Sequence, residues 1–400
     1  MSSIKKVDYL LLLVGGNPLP VYVSALMLAD EKTQVRLLHS PEDKAVRNVA
    51  ELAQMLKTSI ENTVGCKVEN VDLNSIDREN IRREIEGVIN QIPEGKTVGF
   101  NYTGGTKPMV VYSIRMLEEK VKNGLTLSYL NAQDKTLYVE CGRRHIEQYP
   151  AKLEKPVPLE IILKLHGYKP NETLGHEAKF IAIANAIIEI CQSDKGIDQW
   201  KHWWFHQLPK NQLPTIEGYP LLVPFMEALE NEVNDLTPDA VANYFGFEKL
   251  SSCAHWLDGG WLEEYVFSAV KNLSTQCTLH DCGINLKPAP LVGNDNPKNF
   301  EIDVFALQNY QLFGISCIAS KKENGEVKKH LFEAYMRARQ LGGDEARVAL
   351  VYLGDAPQAV QDEIDRTWLP SNALKVFGRN ELPDLREYLY KWFTQNMLGR

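Results

Sequence analysis

The sequence predicts an α/β protein of more than one domain, and three observations carry that expectation. At 400 residues the chain exceeds one ordinary hydrophobic core, so two to three domains are expected. Short apolar runs alternate with helical patterns through roughly residues 9–139, which implies a mostly parallel sheet covered by helices on both faces. After Gly259-Gly260 a second series of strands and helices begins, with the character of a mixed α/β domain.

Taken in order, Tyr9 to Val14 is a short buried strand, ended by Gly15-Gly16-Asn17-Pro18, and Val21 to Leu28 reads as a helix. Val35 to Leu38 is a second strand. Asp43 to Leu56 is helical, with Ala45, Val49, Leu52, Ala53 and Leu56 on one face. Further strands are expected at Lys67–Val71, Thr97–Tyr102, Leu125–Leu130 and Thr136–Val139, with helices near Asp77–Gln91 and Lys107–Lys122. Residues 151–175 are rich in Lys, Pro and Glu, which predicts a boundary near 155. From about 156 to 254 a small helical or winged-helix-like connector is expected, its Trp200, Trp203 and Trp204 packing internally, with stacking on single-stranded bases as the alternative. The last part, 255–400, should contain a helix at Trp261–Asn272 and strands near Thr278–Ile284, Glu301–Leu307 and Leu312–Ile318. A helix at Lys329–Leu341, a strand at Arg347–Leu353 and a final helix at Leu382–Gln395 complete it.

Hydrophobic residues make up 44% and charged residues 24%, the balance of a globular protein, which excludes collagen-like and disordered classes. The net charge of −8 is uneven: residues 1–155 hold 21 Lys/Arg against 20 Asp/Glu, and residues 156–400 hold 23 against 32. A nucleic-acid partner therefore has to be argued from local chemistry. Seven scattered cysteines do not form a disulfide framework, no stretch approaches a membrane span, and no secretory pattern is seen, so a cytoplasmic protein without membrane contact is expected. Cys277, His280 and Cys282 lack a second ligand pair for zinc, and Cys317 lacks a base that would make it a nucleophile.

The strongest local signal is Asn101-Tyr102-Thr103-Gly104-Gly105-Thr106-Lys107-Pro108-Met109, which leaves a strand and opens a helix. Two glycines permit a sharp turn and close approach of a ligand, Thr106 can cap the helix, and Pro108 suits its first turn. The free helix amides, the hydroxyls of Thr103 and Thr106 and the ammonium of Lys107 together suit phosphate. The spacing is not that of a Walker loop. The turn at Gly15-Gly16-Asn17-Pro18 could line the same crevice.

These two turns resemble those of CARF domains, the Rossmann-like sensors of type III CRISPR systems. The resemblance covers roughly residues 1–150 and implies a homodimer that clasps a cyclic oligoadenylate, most plausibly the tetramer, on its two-fold axis. Carried over by position, Gly15, Asn17, Thr103, Gly104, Gly105, Thr106 and Lys107 would meet that ligand.

A second constellation lies in the last part. Glu263 and Glu264 sit on a helix, Glu301 and Asp303 are two apart on a strand and so leave one face, and Ser316-Cys317 follow on the next strand. The carboxylate pair alone also fits a solvated edge strand. Gly260-Trp261-Leu262-Glu263-Glu264-Tyr265, Glu301-Ile302-Asp303-Val304 and Gly314-Ile315-Ser316-Cys317 together resemble the PD-(D/E)XK nuclease domain fused to CARF sensors in the Card/Can group. That resemblance implies Glu263, Glu301 and Asp303 as ligands of Mn²⁺ or Mg²⁺, cleavage of DNA or RNA, and a strand lysine beside them. Here the sequence departs from the pattern, because Cys317 is followed by Ile318, Ala319 and Ser320. Lys321 and Lys322 are the first candidates to reach in, then Lys328 and Lys329. The segment Lys321–Arg339, with six basic residues against three acidic, could guide a phosphate backbone or be a solvated helix face. The alternatives are a sensor that binds nucleic acid or a partner without cutting, and a CARF domain that degrades its own activator.

Overall fold

The computed structural model describes residues 4–41, 48–142, 145–170, 174–291, 301–367 and 373–395. The N-terminal domain runs β1 (Tyr9–Leu13), α1 (Leu19–Leu28), β2 (Gln34–His39), α2 (Val49–Val64), β3 (Lys67–Asp72), α3 (Arg78–Ile89), β4 (Val98–Asn101), α4 (Lys107–Lys120), β5 (Leu125–Asn131), β6 (Thr136–Cys141) and β7 (Ile146–Pro150). Its seven strands are ordered β3-β2-β1-β4-β5-β6-β7. The first five are parallel, and β6 and β7 extend the sheet antiparallel.

Strand β1 is continuously apolar because it is central and covered on both faces. Helix α1 starts with Pro20 in its first turn and is buried on nearly every side, as a helix without a polar face must be. Asn48 caps α2 by accepting from the Ala50 amide, and Gly65, at φ +78°, ends it in the left-handed region. Residues 43–47 of the expected helix, Ala45 among them, lie outside the described residues.

The connecting segment has two characters. Residues 151–170 contain α5 (Leu159–Leu165) and β8 (Tyr168–Lys169), and they are fastened to the C-terminal domain rather than hanging between domains. Asn309 Oδ1 accepts from the Leu153 amide at 3.1 Å, its Nδ2 donates to the Ala151 carbonyl at 2.6 Å, and its own carbonyl accepts from the Val157 amide at 2.8 Å. The helical part follows as α6 (Ile181–Ile190), α7 (Asp194–His206), α8 (Val223–Glu232) and α9 (Pro238–Tyr244), with no hairpin wing among the described residues. Trp200 and Trp203 are buried there, with ring centroids 5.1 and 5.4 Å from Phe225, so these tryptophans form core, each contributing roughly 2–3 kcal/mol by burial.

The C-terminal domain comprises α10 (Trp261–Asn272), β9 (Leu279–Leu286), β10 (Ala289–Pro290), β11 (Ile302–Gln308), β12 (Gln311–Ile318), α11 (Asn324–Gly342), β13 (Arg347–Tyr352), α12 (Pro357–Thr367), β14 (Leu374–Phe377) and α13 (Leu385–Gln395). Its five-stranded sheet is ordered β14-β13-β12-β11-β9. The β12, β13 and β14 pairings are parallel, and β11 pairs antiparallel with both β12 and β9. Short β10 pairs with β8. One core joins α1, α2 and α5 of the N-terminal side to Leu286, Phe305, Leu312 and α11 of the C-terminal side. A second core joins the helical connector to α10, α13 and the sheet. The α/β fold class and the mixed character of the last domain are as the sequence predicts.

Candidate functional site

The two glycine turns meet at the carboxyl ends of β1 and β4, and their contact is backbone on backbone. A Cβ on Gly104 would lie 2.4 Å from the Leu13 carbonyl oxygen and 2.7 Å from the Gly15 nitrogen, so no side chain fits there. Gly105 follows at φ +81°, which opens the turn into α4. Thr106 caps α4, accepting from the Met109 amide at 3.4 Å, while its own hydroxyl donates to the Ser75 carbonyl at 2.5 Å. The Thr103 hydroxyl accepts from the Leu130 amide at 2.8 Å and so ties the turn to β5. Gly105, Thr106 and Lys107 are exposed. The structure therefore brings Gly15, Thr103, Gly104, Gly105, Thr106 and Lys107 to one rim. Asn17 is there too, but its side chain turns to the C-terminal domain, where Nδ2 donates to Glu345 Oε2 at 2.9 Å.

The carboxylates come from three elements. Helix α10 packs across β9, β11 and β12 and carries Glu263 and Glu264 in its first turn. The two glutamates have different duties. Glu264 is buried and accepts from the Lys179 and Phe180 amides at 3.0 and 2.8 Å, so it fastens the start of α6. Glu263 instead faces the acids at the head of β11. Burial, then the charges of Asp303 and Glu301, push its carboxyl up to about 8. Burial likewise pushes Asp303 up to about 6, against the Cys317 amide and Ser316 hydroxyl, which donate to it at 2.7 and 3.3 Å. This is the cross-strand partnership that the register Val304 with Ile315 sets.

Glu301 lies just before β11 and pairs with Lys287, Nζ to Oε2 3.2 Å. Lys287 escapes the sequence reading, because it stands in no motif. Its signal is register: Ile302 pairs with Leu286, and one further step sets Lys287 opposite Glu301. Lys287 also draws down the carboxyls of Glu263 and Asp303, against the stronger effects that raise them.

Lys321 and Lys322 are engaged elsewhere. Lys321 Nζ lies 2.5 Å from Asp194 of α7, an acid that Arg379 also binds, and Lys322 is 3.6 Å from Glu326. Lys328 pairs with Glu363 and Arg339 with Asp344, so four of the six basic residues in Lys321–Arg339 sit in ion pairs. Ile318 packs partly buried against the core that joins the domains. Burial raises the Cys317 thiol far above its usual range, which fits an inert strand cysteine. His280 holds the Val157 carbonyl at 3.0 Å, and neither Cys277 nor Cys282 is bonded to another cysteine.

Among the described residues no three His, Cys, Asp or Glu side chains converge closely enough to hold a metal ion. Glu263, Asp303 and Glu301 nevertheless form an oxygen-only donor set whose charges oppose one another, the chemistry that suits a hard divalent cation. No described helix is long and apolar enough to cross a membrane.

Residues 251–396 match the family model of the Card1-like endonuclease domain. No curated protein matches the sequence. Among solved structures, the chain is similar to Can2 from Sulfobacillus thermosulfidooxidans, determined in complex with cyclic tetra-adenylate, at 17% identity and a TM-score of 0.68, over 96% of this chain and 97% of that one. It is also similar to protein VC1899 from Vibrio cholerae, at 15% identity and a TM-score of 0.73, over 98% and 99% of the two chains. At these identities the likeness is one of fold. The C-terminal resemblance to the nuclease domain of the Card/Can group is borne out by the family match over residues 251–396, and the α/β fold expected along the chain by the likeness to these structures.

Proposed function

We propose that this chain is a homodimeric nuclease of type III CRISPR defence that cyclic tetra-adenylate switches on and that cuts DNA or RNA with Mn²⁺ or Mg²⁺. The observation that carries this reading is the trio Glu263, Asp303 and Glu301 inside a Card1-like endonuclease domain. Can2, of similar fold, was determined with cyclic tetra-adenylate, which supports that ligand here.

The N-terminal rim would offer the ligand's phosphates the amide and ammonium of Lys107, since Pro108 has no N–H and the Met109 amide is held by Thr106, one set from each protomer of a two-fold dimer. In the C-terminal domain Glu263, Asp303 and Glu301 would hold the cation. When bound, it polarises the scissile phosphate and lowers the pKa of water. The Cys317 amide and Ser316 hydroxyl hold Asp303 in place, and α10 holds Glu263 over it. Hydrolysis consumes one water: its oxygen joins phosphorus as the bond to the leaving oxygen breaks, and a proton ends on that leaving oxygen.

The test is incubation of the purified chain with cyclic tetra- or hexa-adenylate, Mn²⁺ and labelled single- and double-stranded DNA and RNA. Ligand-dependent cleavage, lost in Glu301→Ala/Asp303→Ala while ligand binding persists, is the expected result. Cleavage that survives the double substitution would remove this site.

A further inference from the structure

We propose that Lys287, at the end of β9, is the cationic residue of the cleavage centre, in place of a lysine on β12. The inference rests on the nuclease reading above. Four observations converge on this residue. First, the antiparallel pairing of β9 with β11 brings Lys287 beside Glu301, with Nζ 3.2 Å from Oε2. Second, the field of this ammonium reaches past Glu301 to both Glu263 and Asp303. Third, Lys287 is 52% exposed, so the same ammonium that touches the acids also faces the solvent from which a nucleic acid arrives. Fourth, β12 offers no basic group: Ile318 packs in the core after Cys317, and Lys321 and Lys322 are bound to Asp194 and Glu326.

The chemistry asks for such a group. As water adds to a phosphodiester, charge builds on the non-bridging oxygens, and a positioned N–H donor aimed at them acts where that charge grows. In this role Lys287 transfers no proton. It donates hydrogen bonds to the phosphate, exchanging its partner Glu301 for the substrate when Glu301 joins the other two carboxylates. A half-exposed ion pair stabilises a fold only slightly, so removal of Lys287 should leave folding intact and report on chemistry.

The test uses the full chain with cyclic tetra-adenylate. Lys287→Met and Lys287→Arg are compared with wild type by single-turnover cleavage of labelled single- and double-stranded substrates with Mn²⁺. Mn²⁺ binding is measured separately by electron paramagnetic resonance without nucleic acid. Lys287→Met should cleave about 100-fold more slowly. Its Mn²⁺ affinity should stay equal to wild type or tighten, because a competing cation has gone. Lys287→Arg should recover part of the rate. Cleavage by Lys287→Met at the wild-type rate overturns the assignment and leaves the nuclease reading standing. Parallel loss of Mn²⁺ binding and cleavage also overturns it, since Lys287 would then only orient Glu301. If wild type itself cuts nothing under any condition, the nuclease reading fails and this assignment fails with it.

Discussion

Asn17 Nδ2 donates to Glu345 Oε2 across 2.9 Å and so joins the rim of the N-terminal sheet to the C-terminal domain, 328 residues away in sequence. Glu345 is 1% exposed, burial raises its carboxyl above the usual range, and its other oxygen has no partner among the described residues. Space is tight as well: a Cβ on Gly343 would lie within 2.4 Å of Asn17 Oδ1. Asn17→Asp would replace a donor by a second carboxyl at a buried acid, and should destabilise the protein by about 3 kcal/mol. Glu345→Gln in the same chain should restore most of that loss. Urea denaturation of the single and double variants measures both effects, and additive losses would show that the contact is not energetically coupled.

The raised carboxyls predict a stability that falls with pH. In the unfolded chain Glu263 and Asp303 lose their protons near 4.5 and 3.8, whereas in the folded chain burial holds them to about 8 and about 6. Between those limits the folded form binds more protons, so unfolding free energy declines as pH rises through that window. Without metal, the melting temperature should drop from pH 5 to pH 8. Glu263→Gln should flatten that decline and gain about 2 kcal/mol over wild type at pH 8. Mn²⁺ should stabilise wild type more at pH 8 than at pH 5. A melting temperature that is level across this range would contradict the burial of Glu263 and Asp303 as the cause of their raised carboxyls.

Gly104→Ala should be far more damaging than Gly16→Ala. The first places a Cβ against the Leu13 carbonyl, whereas the second meets nothing within 4 Å. The expected cost at Gly104 is about 2 kcal/mol or more, together with loss of cyclic tetra-adenylate binding. Calorimetry on both variants decides the matter, and equal behaviour of the two would mean that the turns are not packed as described.

Lys107 opens α4, where a positive charge opposes the helix dipole. A residue placed against local preference should be there for a ligand. Lys107→Ala should leave the melting temperature unchanged or slightly higher while weakening cyclic tetra-adenylate binding about tenfold, with a smaller salt dependence. Fluorescence titration at two salt concentrations provides the measurement, and undiminished affinity would take Lys107 out of the ligand rim.

Much of this architecture is legible in one sequence because burial writes periodicity. Helix α10 occupies the predicted Trp261–Asn272, and β12 ends at the predicted Ile318. Helix α11 begins at Asn324 rather than Lys329, since its first turn is too polar to show an apolar stripe. Strand β14 leaves no trace in the sequence, since its four residues give alternation too little length to register. The turns of the N-terminal rim are legible because glycine, threonine and proline carry local rules. Contacts made by register or across domains leave no such trace. Lys287 meets Glu301 only because two strands pair antiparallel, and Glu263 differs from its neighbour Glu264 only because α6 begins where Lys179 and Phe180 offer their amides.

The three hydrogen bonds of Asn309 to residues 151–157 bear on how such proteins can be taken apart and recombined. A cut at residue 155 follows the composition of the sequence but passes through a fastened seam. Excising residues 1–155 would take Ala151 and Leu153 away from the Asn309 side chain and strip α2 from α5, which stays with α11. Chimaeras that exchange one half for that of a relative therefore need their junction beyond β8, with the apolar face of α5 matched to its new neighbour.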